Sequence, residues 1–319
     1  MKITHLVAAL AVLFTSAATA SADEIRLATQ PMPHYAPIFI AKHNGWLDEE
    51  LAKVKPGIKV TWSSFAAGPP INESFAAGQQ DFGFLGDTPA IIGKSVGIDT
   101  RLIAKTSQGP QTLAVVVGAD SPIKSPKDLK GKKVAVTKGS YGHHLLALVL
   151  QQGGLTFNDI EFINLPVAEI APAIIAGTID AGAVWEPVIT KYETQKAIRV
   201  LADGTGIKSG MLLIIATNDI IKAHPDQVQA VLRAYARGAE YAKAHPNETA
   251  ELVAADVKLT PDLLLPILAK LDFNPALHDA DIAELRKTVD FQLANGLIKQ
   301  PVDIASWADR DIGAAAGLK

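Results

Sequence analysis

AGQQDFGFLGDTP, Ala77 to Pro89, returns 99 residues later as AGTIDAGAVWEP, Ala176 to Pro187. Aligned on Ala77 and Ala176, both stretches read Ala-Gly-x-x-Asp-x-Gly-x-x-x-acid. The acids are Asp87 and Glu186, each six residues after an aspartate, Asp81 or Asp180. Pro89 and Pro187 follow one register apart. The pattern describes a helix-strand-helix corner. Gly78 and Gly177 suit the left-handed position just past a helix end. Asp81 and Asp180 then open a buried strand, on which Gly83 and Gly182 permit close packing. The strands are read as ending at Leu85 and Val184. Asp87-Thr88-Pro89 and Trp185-Glu186-Pro187 open the next helix, with an acid near the N-cap and a proline in the first turn. That helix starts at the carboxyl end of its strand, where open α/β sheets bind ligands. Gly, Asp and Pro are also ordinary punctuation at such joints. The repeat therefore marks two similar corners and leaves open whether they serve a ligand.

Outward from the corners, short apolar runs alternate with helical periodicity. Strands are read at residues 25–29, 58–62, 81–85, 113–117, 133–136, 160–164, 181–184, 198–201 and 211–216. Helices are read at 35–42, 46–53, 71–77, from Pro89, 141–152, 168–176 and from Trp185. Such alternation predicts βαβ units and a mainly parallel sheet. After residue 216 the character changes to consecutive helices at 225–245, 248–255, 261–271 and 279–295.

The 319 residues are 48% hydrophobic and 20% charged, enough for a packed core and about two domains. With no cysteine there is no disulfide, thiolate zinc site or cysteine nucleophile. A formal charge of -3 supplies no electrostatic reason to bind nucleic acid or an anionic membrane. Lys2, the apolar run Leu6 to Phe14 and the small residues Ala20-Ser21-Ala22 predict a secretory signal peptide at residues 1–22, with Ala18-Thr19-Ala20 as a second cleavage choice. The run is too short to span a bilayer. Removing Lys2 with the leader turns -3 into -4. With no cysteine for a lipid anchor, the mature chain is expected free in an exported aqueous compartment.

A third corner is richer. Strand residues 134–136 run into Lys138-Gly139-Ser140-Tyr141-Gly142 and then a helix. Gly139 and Gly142 let the backbone aim several N–H groups at one point. Ser140 adds a hydroxyl, and the helix N-terminus adds about half a positive charge. That suits a sulfonate, sulfate or carboxylate. It is not a phosphate-binding P-loop, because G-x-x-x-x-G-K-[ST] is absent. His143 and His144 do not read as metal ligands, since helix neighbours diverge by about 100 degrees. One is expected to face a ligand and the other to pack or be solvated. Asp87 and Glu186 read first as helix caps, second as ligand contacts for an amine or hydroxyl, and last as an acid-base pair. Gln30, after the first strand, is a polar contact candidate, and Trp185 either walls a cleft or sits in the core.

Seven stretches in order carry a resemblance. They are WSSFAAGPP (62–70), GQQDFG (78–83), GDTP (86–89), DSPIK (120–124), DLKGKKVA (128–135), KGSYGH (138–143) and WEP (185–187). The chain resembles the bacterial periplasmic solute-binding proteins of the nitrate/sulfonate/taurine transporter family, most of all the aliphatic sulfonate-binding branch, from about Ile25 to near Trp307. The resemblance implies a type II periplasmic-binding fold, α/β, with two lobes joined by two crossovers and closing on ligand. It puts lobe one at 23–108 plus 211–319, lobe two at 109–210, and the crossovers near Gln108-Gly109 and Ser209-Gly210. One copy of the opening motif then falls in each jaw. Implied ligand-binding residues are Gln30, Gly86, Asp87, Thr88, Gly139, Ser140, Tyr141, Gly142, His143, Trp185 and Glu186. The implied role is the carrier of an ABC importer that takes a small anionic or zwitterionic ligand to a permease. It implies no cofactor, metal or nucleic acid, and a monomer. Two departures bear on the ligand. Asp87 and Glu186 exchange the acid lengths common in the sulfonate branch, and Tyr141 stands where a small hydroxyl residue is common. Nitrate and a thiamine-precursor pyrimidine remain alternatives. A pyrimidine-synthase-like enzyme is disfavoured by the absent cysteines and the export signal.

Overall fold

A computed structural model describes residues 24–319. The leader read at 1–22 lies outside the described residues. Among the described residues, ten strands form two separate five-stranded sheets. The first third of the chain lays down β1 (Glu24–Thr29), helices α1 (Ala36–His43) and α2 (Trp46–Val54), β2 (Lys59–Ser64), α3 (Gly68–Ala76), β3 (Phe82–Gly86), α4 (Asp87–Ser95) and β4 (Thr100–Ser107). The middle supplies β5 (Leu113–Gly118), β6 (Lys133–Val136), α5 (Tyr141–Gln152), β7 (Glu161–Asn164), α6 (Val167–Ile175), β8 (Ala181–Trp185), α7 (Val188–Thr194) and β9 (Ile198–Asp203). The chain then returns through β10 (Leu212–Thr217). The remaining helices are α8 (Asn218–Ala223), α9 (Pro225–Ala244), α10 (Pro246–Val257), α11 (Pro261–Leu268), α12 (Asp279–Ala294), α13 (Ile304–Trp307) and α14 (Arg310–Ala315).

The sheet orders are β2-β1-β3-β10-β4 and β7-β6-β8-β5-β9. The expected parallel pairing holds for β1 with β2 and β3, and for β6 with β7 and β8. Each sheet also holds one antiparallel strand, which the alternation did not predict. β10 runs antiparallel to β3 and β4, and β5 antiparallel to β8 and β9. These two strands arrive directly from the other sheet, β5 from β4 and β10 from β9. A strand that leaves one sheet at the carboxyl edge and passes straight across enters the second sheet at that same edge, and so runs against its neighbours. The two passages lie side by side: the Gly109 N–H donates to the Ser209 carbonyl at 3.0 Å.

The repeated corners superpose in chemistry. Gly78 and Gly177 have φ of 68° and 69°. Each ends its helix with the same bond pair, Gly78 to Phe75 and Gln79 to Ser74, then Gly177 to Ile174 and Thr178 to Ala173. Asp81 accepts the Arg26 backbone N–H at 2.8 Å and Asp180 accepts that of Lys133 at 2.8 Å. Each aspartate thereby pins its strand to the parallel neighbour. Gly83 and Gly182 leave room for the preceding helix. A Cβ on Gly83 would stand 2.5 Å from the Phe75 ring, and one on Gly182 would stand 2.2 Å from Ile170.

Besides shifts of a few residues at other ends and the short helices α8, α13 and α14, two boundaries at the corners and one whole strand differ from the sequence reading. β8 continues through Trp185, which pairs with Leu113, so the helix read from Trp185 starts at Val188. β3 continues through Gly86, and α4 begins at Asp87. β4 was not read at all. Its TRLIAKTS carries Arg101, Lys105, Thr106 and Ser107, and the last three are buried. Lys105 is tolerated because Asp281 meets its ammonium at 2.9 Å from 176 residues away.

Candidate functional site

The first turn of α5 lies between the two corners. Gly139 adopts φ 77° at the end of the loop after β6, and Ser140 caps the helix by accepting the His143 N–H. The Ser140 and Gly139 amides are engaged, by Thr137 and by the His143 ring. Tyr141 and Gly142 occupy the first helical positions, whose N–H groups an α-helix leaves without internal acceptors. The helix dipole adds positive potential at the same point. On one side the corner of β3 and α4 closes in: a Cβ at Gly86 would lie 3.2 Å from the Tyr141 Cβ. On the other side Trp185 at the end of β8 lies against Gly142, whose Cβ position is 3.2 Å from the indole. The Tyr141 and Trp185 rings are 5.3 Å apart. The Tyr141 hydroxyl is buried and has no hydrogen-bond partner. Burial, with the Glu186 and Asp87 charges nearby, raises the Tyr141 hydroxyl well above its ordinary pKa, so it is a donor at neutral pH.

Both corner acids are buried and committed. Asp87 Oδ1 accepts the Thr88 N–H at 2.6 Å and the Thr88 hydroxyl at 3.1 Å. Its Oδ2 receives the Lys208 ammonium at 2.6 Å and the Thr288 hydroxyl at 2.9 Å. Glu186 Oε2 accepts the Thr190 N–H at 3.0 Å, and its Oε1 receives the Thr190 hydroxyl at 2.8 Å and the Lys270 ammonium at 2.7 Å. Each carboxylate satisfies an amide in the first turn of the helix beside it, and each carries a lysine. The Gln30 side-chain amide donates to the Tyr35 hydroxyl at 2.9 Å and to the Phe84 carbonyl at 3.2 Å. Thr88 is held from α12, where Gln292 donates to its carbonyl at 2.8 Å.

Both α5 histidines are packed. The His143 ring sits among Phe157, Phe162 and Phe291. Burial, then the Lys138 charge, lowers its pKa to about 4. His144 stacks on Phe291 at 4.2 Å, and its Nδ1 receives the Lys208 ammonium at 3.1 Å. Burial and that neighbouring ammonium hold His144 neutral, well below the usual range. His34, from the loop after β1, reaches the first passage between the sheets and donates to Thr112 at 2.8 Å, since the Thr112 hydroxyl is spent on the Gly109 carbonyl. Its Nδ1 is buried without a partner, and burial lowers the ring to about 3.

Sequence reasoning missed Lys208, Lys270, Thr288, His34 and Thr112. Lys208 sits in Gly-Ile-Lys-Ser-Gly between two strands and reads as a solvated loop residue. Lys270 follows an ordinary helix. Neither carries a local signal.

Two α/β sheets bridged by two adjacent passages, with a helix N-terminus held between paired corners, define a two-lobed periplasmic-binding fold. Residues 32–249 match the family described as NMT1/THI5 like, well over half of the chain. The chain belongs to that family. A relative in Bacillus subtilis (strain 168), provisionally named an aliphatic sulfonates-binding protein, is 32% identical over 90% of this chain and 86% of its own length. Among solved structures, the Escherichia coli periplasmic aliphatic sulphonate binding protein SsuA matches at TM-score 0.79 and 28% identity, covering 90% of this chain and 92% of that one. The alkanesulfonate-binding protein SsuA from Xanthomonas axonopodis pv. citri, solved with MOPS, matches at TM-score 0.81 and 26% identity, covering 90% and 98%. At shorter coverage stand an Escherichia coli taurine-binding periplasmic protein, 28% identical over 57% of each chain, and a Uromyces fabae pyrimidine phosphate synthase, 26% identical over 67% of this chain.

Proposed function

We propose that this chain is the periplasmic solute-binding component of an ABC importer, capturing a small sulfonate and delivering it to a membrane permease. The observation that carries the reading is the α5 first turn. Its first-turn amides, the Ser140 hydroxyl and the buried, unpartnered Tyr141 hydroxyl belong to one helix start, packed between two corners whose carboxylates are already paired with lysines. A sulfonate spreads one charge over three oxygens, and such an anion is well met by several donors and a helix dipole. In this reading Gln30, Gly86, Thr88, Gly139, Ser140, Tyr141, Gly142 and Trp185 surround the ligand, Asp87 and Glu186 back them through their lysine pairs, and His143 supports the turn from its aromatic packing. Residues 23–108 and 211–319 form one lobe and 109–210 the other, hinged near Gly109 and Gly210. The Gly86 corner already meets Tyr141, so a ligand enters when the lobes part, a hinge motion. The corner carboxylates are spent on lysines and caps rather than free for acid-base work, which favours a carrier over an enzyme. Neither acid is left unpaired, so taurine has no advantage over ethanesulfonate from its ammonium group.

The Tyr141–Trp185 ring pair favours one second reading, a pyrimidine such as a thiamine precursor stacked on it. Thermal unfolding of the ligand-stripped protein against alkanesulfonates, taurine, an arylsulfonate, sulfate, nitrate and that pyrimidine decides. Ligand at a thousand times its Kd adds about 4 kcal/mol of stability. Shifts with sulfonates alone are expected. A shift with only the pyrimidine or nitrate overturns the sulfonate.

A further inference from the structure

Asp87 and Glu186 each follow directly a residue that touches the α5 first turn, Gly86 against Tyr141 and Trp185 against Gly142. Each charge therefore bears on whatever that turn holds. Their cations differ in kind. Lys208 is wholly enclosed with Asp87, so the pair is part of the packing. Lys270 keeps a quarter of its side chain exposed, while Glu186 is wholly buried. Lys270 reaches Glu186 from 84 residues away, from the segment that also packs on the first passage, where its carbonyl would stand 2.5 Å from a Cβ on Gly109. Without Lys270, Glu186 would still hold its Thr190 bonds and its cap. It would lose only its counter-charge.

We propose that Lys270 is a specificity-determining residue: by neutralising Glu186 it lets the α5 mouth accept a sulfonate that brings no cation of its own. The inference rests on the sulfonate reading above. With Lys270 gone, a buried carboxylate faces the anion where little water screens it. A zwitterion carries an ammonium that replaces the missing charge, so it suffers less. With the carboxylate gone instead, the surplus charge is positive and the preference moves the other way.

The test is calorimetric titration of ethanesulfonate and taurine into the wild-type protein, Lys270→Met, Glu186→Gln and the double variant. Lys270→Met is expected to weaken ethanesulfonate at least tenfold and taurine less, raising the taurine-to-ethanesulfonate affinity ratio. Glu186→Gln is expected to lower that ratio, and the double variant to restore it. If Lys270→Met does not fold, Glu186→Gln and the double variant carry the comparison. Wild-type binding with the same ratio, within twofold, in every folded variant overturns the role of Lys270 alone. Wild-type protein that binds neither ligand overturns the sulfonate reading and this inference with it.

Discussion

Ser140 caps α5 and, in the proposed site, would also bind the ligand through the same oxygen. It caps α5 by accepting the His143 N–H at 3.2 Å, and its hydrogen stays available to a ligand. Ser140→Ala is expected to cost about 1 kcal/mol of stability as a lost cap and about 1–3 kcal/mol of binding as a lost bond to a charged group. Denaturant melts and calorimetry separate the two, and an unaltered Kd removes Ser140 from the site. Lys208 is a harsher case. Its side chain and that of Asp87 are fully enclosed 2.6 Å apart. Lys208→Met strands a buried charge and is expected to cost about 3–5 kcal/mol, measured by urea unfolding. Adding Asp87→Asn recovers much of that loss if the stranded charge is its cause. Loss that persists in the double variant points to packing instead. The acids at positions 87 and 186 were legible as groups that satisfy first-turn amides, because that chemistry is local. Their lysines were not, because nothing within several residues marks which cation will arrive.

At the scale of elements, the corners depend on two glycines in strands. Gly182→Ala places a methyl 2.2 Å from Ile170 and 3.1 Å from the Ala135 carbonyl. It is expected to cost about 1–3 kcal/mol through overpacking. Ile170→Val in the same chain relieves part of it if the clash is the cause, and thermal melts of the three proteins show whether it does. The turn after α3 and α6 was readable because a left-handed residue selects glycine and the spacing repeats. β4 was unreadable for a converse reason. Local patterning counts Lys105, Thr106 and Ser107 as exposed, whereas Asp281 and the α9 Tyr235, which donates to the Thr106 carbonyl at 2.6 Å, make their burial tolerable. The antiparallel strands escaped as well, since alternation of strand and helix says nothing about which sheet a strand joins.

For the whole molecule, the buried histidines set an acid limit. Folding holds His34 near 3 and His143 near 4, and lowers His144 too. An unfolded histidine titrates near 6.5. Between these values the unfolded chain binds more protons, so stability rises with pH, is complete above about 6.5 and is lost as pH falls through 4 toward 3. Each histidine contributes a slope of up to about 1.4 kcal/mol per pH unit in that window. Urea midpoints between pH 7 and 4 test this. His143→Phe is expected to flatten the curve, and an unchanged slope in that variant assigns the acid sensitivity to other groups.

Most of the order of strands and helices, the twin corners, the glycine turn at Lys138 to Gly142 ahead of α5 and the family pattern were determined by the sequence. Each rests on interactions a few residues long: a left-handed glycine, a cap, an apolar run, a helix N-terminus. The partners that make the corners electrically neutral were decided only by the tertiary structure. Lys270 meets Glu186 across 84 residues, Lys208 meets Asp87 across 121, and Thr288 meets Asp87 across 201. A buried carboxylate must find a counter-charge or a donor somewhere. Where it finds one depends on how the two sheets and the last helices come together, and no local rule reaches that far.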